Sequence, residues 1–357
     1  MSAPRSGATR VLIVDDSALV RRLLSEALSR YADIEVVGTA RDPFEARERI
    51  IELAPDVITL DIEMPRMDGL TFLEKLMKAK PMRVVVVSSV AQASSAHAIR
   101  ALYLGAVQVV PKPGGEMSVP DVERFLIRAV RHAAMVPLSR LRGPARRVVP
   151  AVRSKRATLT GNAARRLIAI GASTGGPPAI EAVLTRLPAD APGIVVAQHM
   201  PPTFTAAFAN RLDGLCAMRV HEANDNELIR DGVAYIAPGG RHLVVRRTAE
   251  GLVTHLKDGP FVHHQRPAVD VLFDSVADVC GASAIGVLLT GMGADGARGL
   301  LAMKEAGAWT MTQDEETCVV YGMPREAVVL DAAHEVLPLE LIADAITHQC
   351  APVGAYR

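Results

Sequence analysis

From Val11 onward, short runs of Val, Ile and Leu alternate with longer stretches whose apolar residues recur at helical spacing. That rhythm predicts parallel strands joined by crossover helices. Arg10 to Val14, Ile34 to Ala40, Val57 to Leu60, Val84 to Val87 and Val107 to Val110 read as five strands. Ser17 to Ser29, Gly69 to Lys78 and Val119 to Met135 read as helices between and after them. The pattern then breaks. Between Pro137 and Thr160 lie six Arg, one Lys and three Pro or Gly residues, and no acid occurs between Glu123 and Glu181. A like-charged stretch of this kind is expected to be a solvated linker. The domains are therefore read as 1–135, a basic linker 136–160, and 161–357. A second series follows, with Arg166 to Ala172, Ile194 to Gln198, Val233 to Ala237, Ala284 to Thr290 and Ala308 to Thr312 as strands. Another doubly wound, mostly parallel α/β sheet is the expected architecture.

Composition changes this picture little. The chain has 357 residues, 49% of them apolar and 22% charged, enough for two cores. The 40 basic and 39 acidic residues leave a net charge of +1, so no global field attracts nucleic acid or an anionic membrane. Cys216, Cys280, Cys318 and Cys350 form no C-x-x-C pair, which argues against a zinc site or disulfide framework and for a reducing compartment. The polar start, Met1 to Arg10, lacks a signal-peptide core, and no apolar run approaches membrane-spanning length. A soluble, cytoplasmic protein is expected.

In doubly wound sheets ligands gather at the carboxyl ends of the strands. Asp15 and Asp16 follow the first strand, Asp61 the third, Ser88 ends the fourth and Lys112 follows the fifth. Converging carboxylates suit Mg²⁺, which would neutralise an incoming phosphoryl group and let a carboxylate attack phosphorus. The hydroxyl and the ammonium are placed to bind phosphoryl oxygens. The order V-D-D at 14–16, D-I-E-M-P-R-M-D-G at 61–69, V-V-S-S at 86–89 and P-K-P at 111–113 resembles the response-regulator receiver family over about residues 10 to 135. The resemblance implies a flavodoxin-like domain. It makes Asp61 the phospho-acceptor, Asp15, Asp16 and Asp61 the Mg²⁺ ligands, Ser88 the switch hydroxyl and Lys112 the phosphate partner. Val109 stands where receivers often carry an aromatic residue, so an aromatic-rotamer switch is not expected here.

In the second half, the first strand runs into G-A-S-T-G-G-P-P. Gly171 to Gly175 match G-x-S-x-G, whose small residues permit a sharp strand-to-helix turn exposing the Ser173 hydroxyl. The following helix N-terminus offers N–H groups to a developing oxyanion. The next strand ends in His199, and Ala284 to Thr290 runs into G-M-G-A-D-G, which carries Asp295. A Ser173, His199, Asp295 triad follows, in a chain order different from that of α/β-hydrolases. The same residues also suit helix caps or strand-end polar positions. Gly291, Gly293 and Gly296 spell G-x-G-x-x-G with Asp314 downstream, a dinucleotide fingerprint, but Asp295 would sit inside the phosphate cradle and repel it. The G-A-S-T-G-G turn lacks a phosphate-loop lysine.

Five ordered segments then resemble the chemotaxis protein-glutamate methylesterases, the CheB family: G-A-S-T-G-G-P at 171–177, Q-H-M-P-P-T-F-T at 198–205, R-P-A-V-D-V-L-F at 266–273, L-T-G-M-G-A-D-G at 289–296 and V-V-Y-G-M-P at 319–324. With the receiver, the likeness covers nearly the whole chain. It implies hydrolysis of glutamate γ-methyl esters on chemoreceptor cytoplasmic domains, commonly with deamidation of receptor glutamines. It assigns Ser173 as nucleophile, His199 as general base and acid, Asp295 as its orienter, and Thr174 and the Met292 N–H to the oxyanion. No cofactor is expected for the hydrolase, and His263 and His264 lack metal-ligand spacing. The resemblance also implies that the unphosphorylated receiver obstructs the active site until the histidine kinase CheA phosphorylates it. The competing readings are a DNA-binding response regulator using the basic linker, and a catalytically silent receptor-binding adaptor.

Overall fold

The computed structural model describes residues 7–89, 92–112, 119–141, 167–202 and 204–350. The chain divides into two units, Met1–Ala145 and Arg146–Arg357. Among the described residues of the first, five strands and five helices alternate: β1 (Thr9–Val14), α1 (Ala18–Leu28), β2 (Ile34–Ala40), α2 (Pro43–Leu53), β3 (Val57–Asp61), α3 (Gly69–Ala79), β4 (Arg83–Ser88), α4 (Gln92–Tyr103), β5 (Gln108–Pro111) and α5 (Val119–Met135). The strands form one sheet in the order β2-β1-β3-β4-β5, every pairing parallel. This is the flavodoxin-like order, with its switch point between β1 and β3. Continuous apolar runs such as Val84 to Val87 are buried because helices cover both faces of the sheet. Side chains start the helices. Ser17 Oγ accepts the Val20 N–H, Asp42 accepts those of Phe44 and Glu45, and Asp68 accepts that of Thr71.

The chain stays with this unit beyond α5. Val136 and Leu141 are buried, a 3₁₀ turn spans Leu138–Arg140, and Arg83 Nε donates to the Val136 carbonyl at 2.8 Å. The first residues of the stretch read as linker thus pack on the sheet, and residues 142–160 of it lie outside the described residues.

The second unit comprises β6 (Leu167–Ala172), α6 (Gly176–Leu184), β7 (Ile194–Gln198), α7 (Phe204–Asp213), β8 (Arg219–Glu222), β9 (Val233–Ile236), β10 (His242–Arg247), β11 (Leu252–Lys257), α8 (Val269–Cys280), β12 (Ala284–Leu288), α9 (Ala297–Glu305), β13 (Trp309–Gln313), α10 (Met323–Val329), β14 (Glu335–Leu337) and α11 (Leu339–Cys350). Its main sheet runs β14-β13-β12-β6-β7-β9-β8, again parallel throughout, beside an antiparallel β10-β11 hairpin. Val195, Ala197, Leu272, Phe273, Leu288, Leu300 and Met303 belong to the core, where α8 and α9 meet the sheet. The chain leaves β6 toward β7 on one side and β12 toward β13 on the other. The crevice between the carboxyl ends of β6 and β12 is therefore the switch point where a ligand fits.

Candidate active site

At that crevice the sheet register decides which residues meet. Ala172 pairs with Gln198 and Gly171 with Leu288, so the turns that follow β6, β7 and β12 lie side by side. Ser173 donates its N–H to the Thr290 carbonyl at 3.0 Å, and His199 donates its N–H to the Ala172 carbonyl at 3.1 Å. The serine turn then closes sharply: Ser173 O accepts from Gly176 N–H at 2.8 Å, and Gly175 takes φ 79° just before α6. That backbone is strained for any residue with a Cβ, which accounts for the glycine. Gly291 answers a different need, since a Cβ there would stand 2.8 Å from Ser173 Cβ and press on Met323 Sδ.

The His199 side chain is 3% exposed, and its Nε2 lies 2.7 Å from Asp295 Oδ2. Asp295 is itself buried and receives two more donors, Val269 N–H on Oδ2 at 2.8 Å and Asp270 N–H on Oδ1 at 2.9 Å. Burial alone would raise its pKa. The His199 contact and the two backbone donors outweigh burial and hold the carboxyl below its ordinary range. With Nε2–H given to Asp295, the lone pair is on Nδ1. Nδ1 and Ser173 Oγ are both buried polar atoms without a hydrogen-bond partner. Such atoms are costly to leave unpaired in a folded core, and their cost is accepted at reactive sites.

Behind the serine, a polar lattice fixes the neighbouring turns. Gln198 Nε2 donates to the Ser173 and His199 carbonyls at 3.0 and 3.1 Å. Thr290 Oγ1 donates to Thr174 O at 3.0 Å and accepts Val320 N–H at 3.0 Å, while Thr290 N–H donates to Gln313 Oε1 at 2.8 Å. Thr174 is buried on this lattice, and Met292 sits on a turn whose Gly291 O accepts from Gly322 and Met323 N–H. The turn that spells G-x-G-x-x-G is thus packed against Ser173, with Asp295 engaged on His199 and α8. Asp314 closes a local turn by accepting from Thr317 N–H and Oγ1, not in a cofactor crevice.

Several of these residues were not singled out in the sequence. Gln198, Asp270 and Thr290 lay inside the quoted segments without a role, and Gln313 lay outside them. Their polarity in otherwise apolar strand ends and helix starts was the available signal. Asp270 also brings His263 and Asp295 together, the three ligand atoms lying within 4.8 Å of one another. Residue spacing along the chain gave no hint of that cluster. Every oxygen of the two acids there is occupied by an N–H donor.

In the first unit, the switch point between β1 and β3 gathers the residues expected there. Asp15 and Asp61 are each 1% exposed, and Lys112 Nζ lies 3.0 Å from Asp15 Oδ2 and 2.8 Å from Asp61 Oδ2. Asp16 is exposed, with a carboxylate oxygen within 4.8 Å of the other two acids. Burial pushes the Asp61 pKa up to about 6; Lys112 counters this and Asp15 adds to it. Burial works against the Lys112 charge, but Asp61 and Asp15 together hold its pKa above the ordinary value. Ser88 is fully buried at the end of β4, and Val109 is buried on β5. Gly69 follows the capping Asp68 because any Cβ there would collide with the Asp61 carbonyl. The hard oxygen donors fit a Mg²⁺ ion, because Asp15 Oδ2 and Asp61 Oδ2 are buried without a hydrogen-bond partner and face the Lys112 ammonium.

Comparison with known proteins places both units. Residues 168–346 match the CheB methylesterase family model and residues 11–120 the response regulator receiver domain model. A protein-glutamate methylesterase/protein-glutamine glutaminase from Syntrophus aciditrophicus is 51% identical over 337 residues, 94% of this chain and 98% of its own length. One from Anaeromyxobacter dehalogenans is 50% identical, covering 97% and 96% of the two chains. The crystal structure of the Thermotoga maritima CheB methylesterase catalytic domain matches 51% of this chain and 97% of that one, with 38% identity and a TM-score of 0.51. The chain therefore belongs to the CheB methylesterase family, with a receiver domain preceding the catalytic domain.

Proposed function

We propose that this chain is a phosphorylation-controlled serine hydrolase that removes methyl groups from glutamate γ-esters of chemoreceptors and deamidates receptor glutamines. The observation that carries the reading is the buried pair of unpartnered atoms, Ser173 Oγ and His199 Nδ1, with His199 Nε2 held 2.7 Å from Asp295. Ser173 Oγ attacks the γ-carbonyl while His199 Nδ1 takes its proton, and the Asp295 carboxylate stabilises the imidazolium that forms. The developing oxyanion is met by the Thr174 region and the Met292 N–H. His199 returns the proton to the leaving methanol, or to ammonia in deamidation. Water, activated by the same imidazole, then hydrolyses the glutamyl-serine ester.

The receiver supplies the control. Asp61 accepts a phosphoryl group from a histidine kinase, with Lys112 and Ser88 placed to bind its oxygens. Asp15, Asp16 and Asp61 would hold Mg²⁺, which supplies charge neutralisation for the phosphoryl group when bound. Among the described residues no helix is long and apolar enough to cross a membrane, and we place the enzyme in the cytoplasm, where the receptor domains it acts on lie.

Replacing Ser173 by Ala tests the assignment. Methanol release from methylated receptor membranes is expected to fall by several orders of magnitude while the protein stays folded. Release at the parent rate would reject Ser173 as nucleophile.

A further inference from the structure

Helices α8 and α9 each begin without a capping side chain of their own. The residue before α8 is Ala268 and the one before α9 is Gly296, and neither offers a side-chain hydrogen bond to the first turn it precedes. Each helix is capped instead by an acid belonging to the other. Asp295, just before α9, accepts the Val269 and Asp270 N–H groups that open α8. Asp270, in the first turn of α8, accepts the Gly296 and Gly299 N–H groups that open α9, both at 2.8 Å on Oδ1. Its Oδ2 lies 2.9 Å from His263 Nε2.

From this exchange we infer that Asp270 is the positioning residue of the His199–Asp295 pair, holding the turn that carries Asp295 at the distance and angle the imidazole needs. The inference rests on the reading of Asp295 as the orienter of His199. Asp295 sits between Gly293 at φ 87° and Gly296 at φ 89°, and glycines at such angles do not hold a turn by themselves. The grip comes from outside, through two N–H bonds to a carboxylate that is itself 6% exposed. Close packing adds to it, because a Cβ at Gly299 would stand 3.1 Å from the Asp270 Cα.

Two buried acids this close repel, and the arrangement offsets that at both of them. Both face a helix N-terminus, where a negative charge is favoured. His263 faces the outer oxygen of Asp270, as His199 faces Asp295, so each carboxylate has its own imidazole. His263 reaches that oxygen from a left-handed backbone, φ 49°, in the 262–265 loop.

The test is a double-mutant cycle on the full chain, reading kcat and KM separately for methanol release. Asp270→Ala is expected to lower kcat by about 10- to 100-fold with KM within about twofold, the loss that a misplacement on the order of 1 Å produces. With Asp295 displaced, the imidazolium loses the carboxylate that faces it, so the loss falls on kcat. Asp270→Asn keeps an oxygen for the two N–H groups and is expected to recover most of kcat. In an Asp295→Asn background, Asp270→Ala should change kcat less than about threefold. An equal loss in both backgrounds, or an effect on KM alone, would overturn the inference. If Asp270→Ala does not fold, Asp270→Asn decides: a variant as slow as Asp295→Asn refutes a positioning role. Unchanged kcat in Asp295→Asn itself would instead refute the triad, a distinct result.

Discussion

A single carboxyl, Asp61, is pulled in opposite directions by its surroundings, and the outcome is measurable. Burial lifts its pKa from 3.8 to about 6 despite the ammonium of Lys112. Because the folded value exceeds the unfolded one, the native state binds the proton more tightly. The contribution of Asp61 to stability is therefore greatest below pH 3.8 and is lost as pH rises toward 6. The shift corresponds to about 3 kcal/mol. Asp61→Asn, which cannot ionise, should be more stable than the parent by up to that amount above neutral pH and little different at pH ~4. Amide exchange in β1 and β3, compared between the two proteins across this range, reads the difference within the receiver sheet. A difference that does not change with pH would show that Asp61 does not take up a proton on folding. Mg²⁺ should work the other way, favouring the ionised site. That Asp15, Asp61 and Lys112 converge was legible because each follows an apolar run, and strand ends in a parallel sheet share an edge. Their degree of burial was not legible, since it depends on helices packed from distant parts of the chain.

At the scale of elements, strands buried on both faces were visible as unbroken Val and Ile runs, and all five receiver strands lie where those runs predict. The second unit was harder. β8 is four residues with an exposed start, β14 is a three-residue edge strand, and β10-β11 is a hairpin whose outer ends carry charge. None offers a long apolar run, so none was named. Ser173, His199 and Asp295 were singled out because they end strands or follow them closely. The lattice behind them was missed because its bonds cross between elements far apart in sequence. Thr290 shows what that lattice does, joining the Ser173 turn through Thr174 O to the 319–323 segment through Val320 N–H. Thr290→Val keeps the shape and deletes both bonds, leaving a buried carbonyl and a buried N–H without these partners. A loss on the order of 2 kcal/mol in stability is expected, from the desolvation cost of the orphaned groups. A severalfold fall in kcat should accompany it as the serine turn loosens. Thr290→Ser restores the oxygen and should restore both quantities. Thermal unfolding and methanol release, measured together, check the pair, and a Val variant that matches the parent would show the lattice to be dispensable.

For the molecule as a whole, the proposed chemistry and the proposed control belong to two separate sheets, so what would connect them is a coupling free energy. Phosphorylation adds between one and two negative charges at a site where two buried carboxylates already compete for one ammonium. Under the proposed control, Lys112 and a bound Mg²⁺ would offset the added charge, and the receiver would thereby gain a second arrangement. A hydrolase restrained in one arrangement and released in the other responds in proportion to the free-energy gap between them. Couplings of this kind span about 1–3 kcal/mol, which corresponds to about 5- to 150-fold in rate when the released form alone turns over. A small-molecule phosphodonor with Mg²⁺ should therefore accelerate methanol release by the parent within that range, and chelating the cation should remove the acceleration. Asp61→Asn lacks the acceptor and should keep its basal rate with or without the donor. Lys112→Met retains the acceptor but loses the ammonium that distinguishes the two arrangements, so it should take up phosphoryl groups yet respond weakly. Equal acceleration of the parent and Asp61→Asn would show that the donor acts elsewhere, and a full response from Lys112→Met would show that the ammonium is not the element that moves.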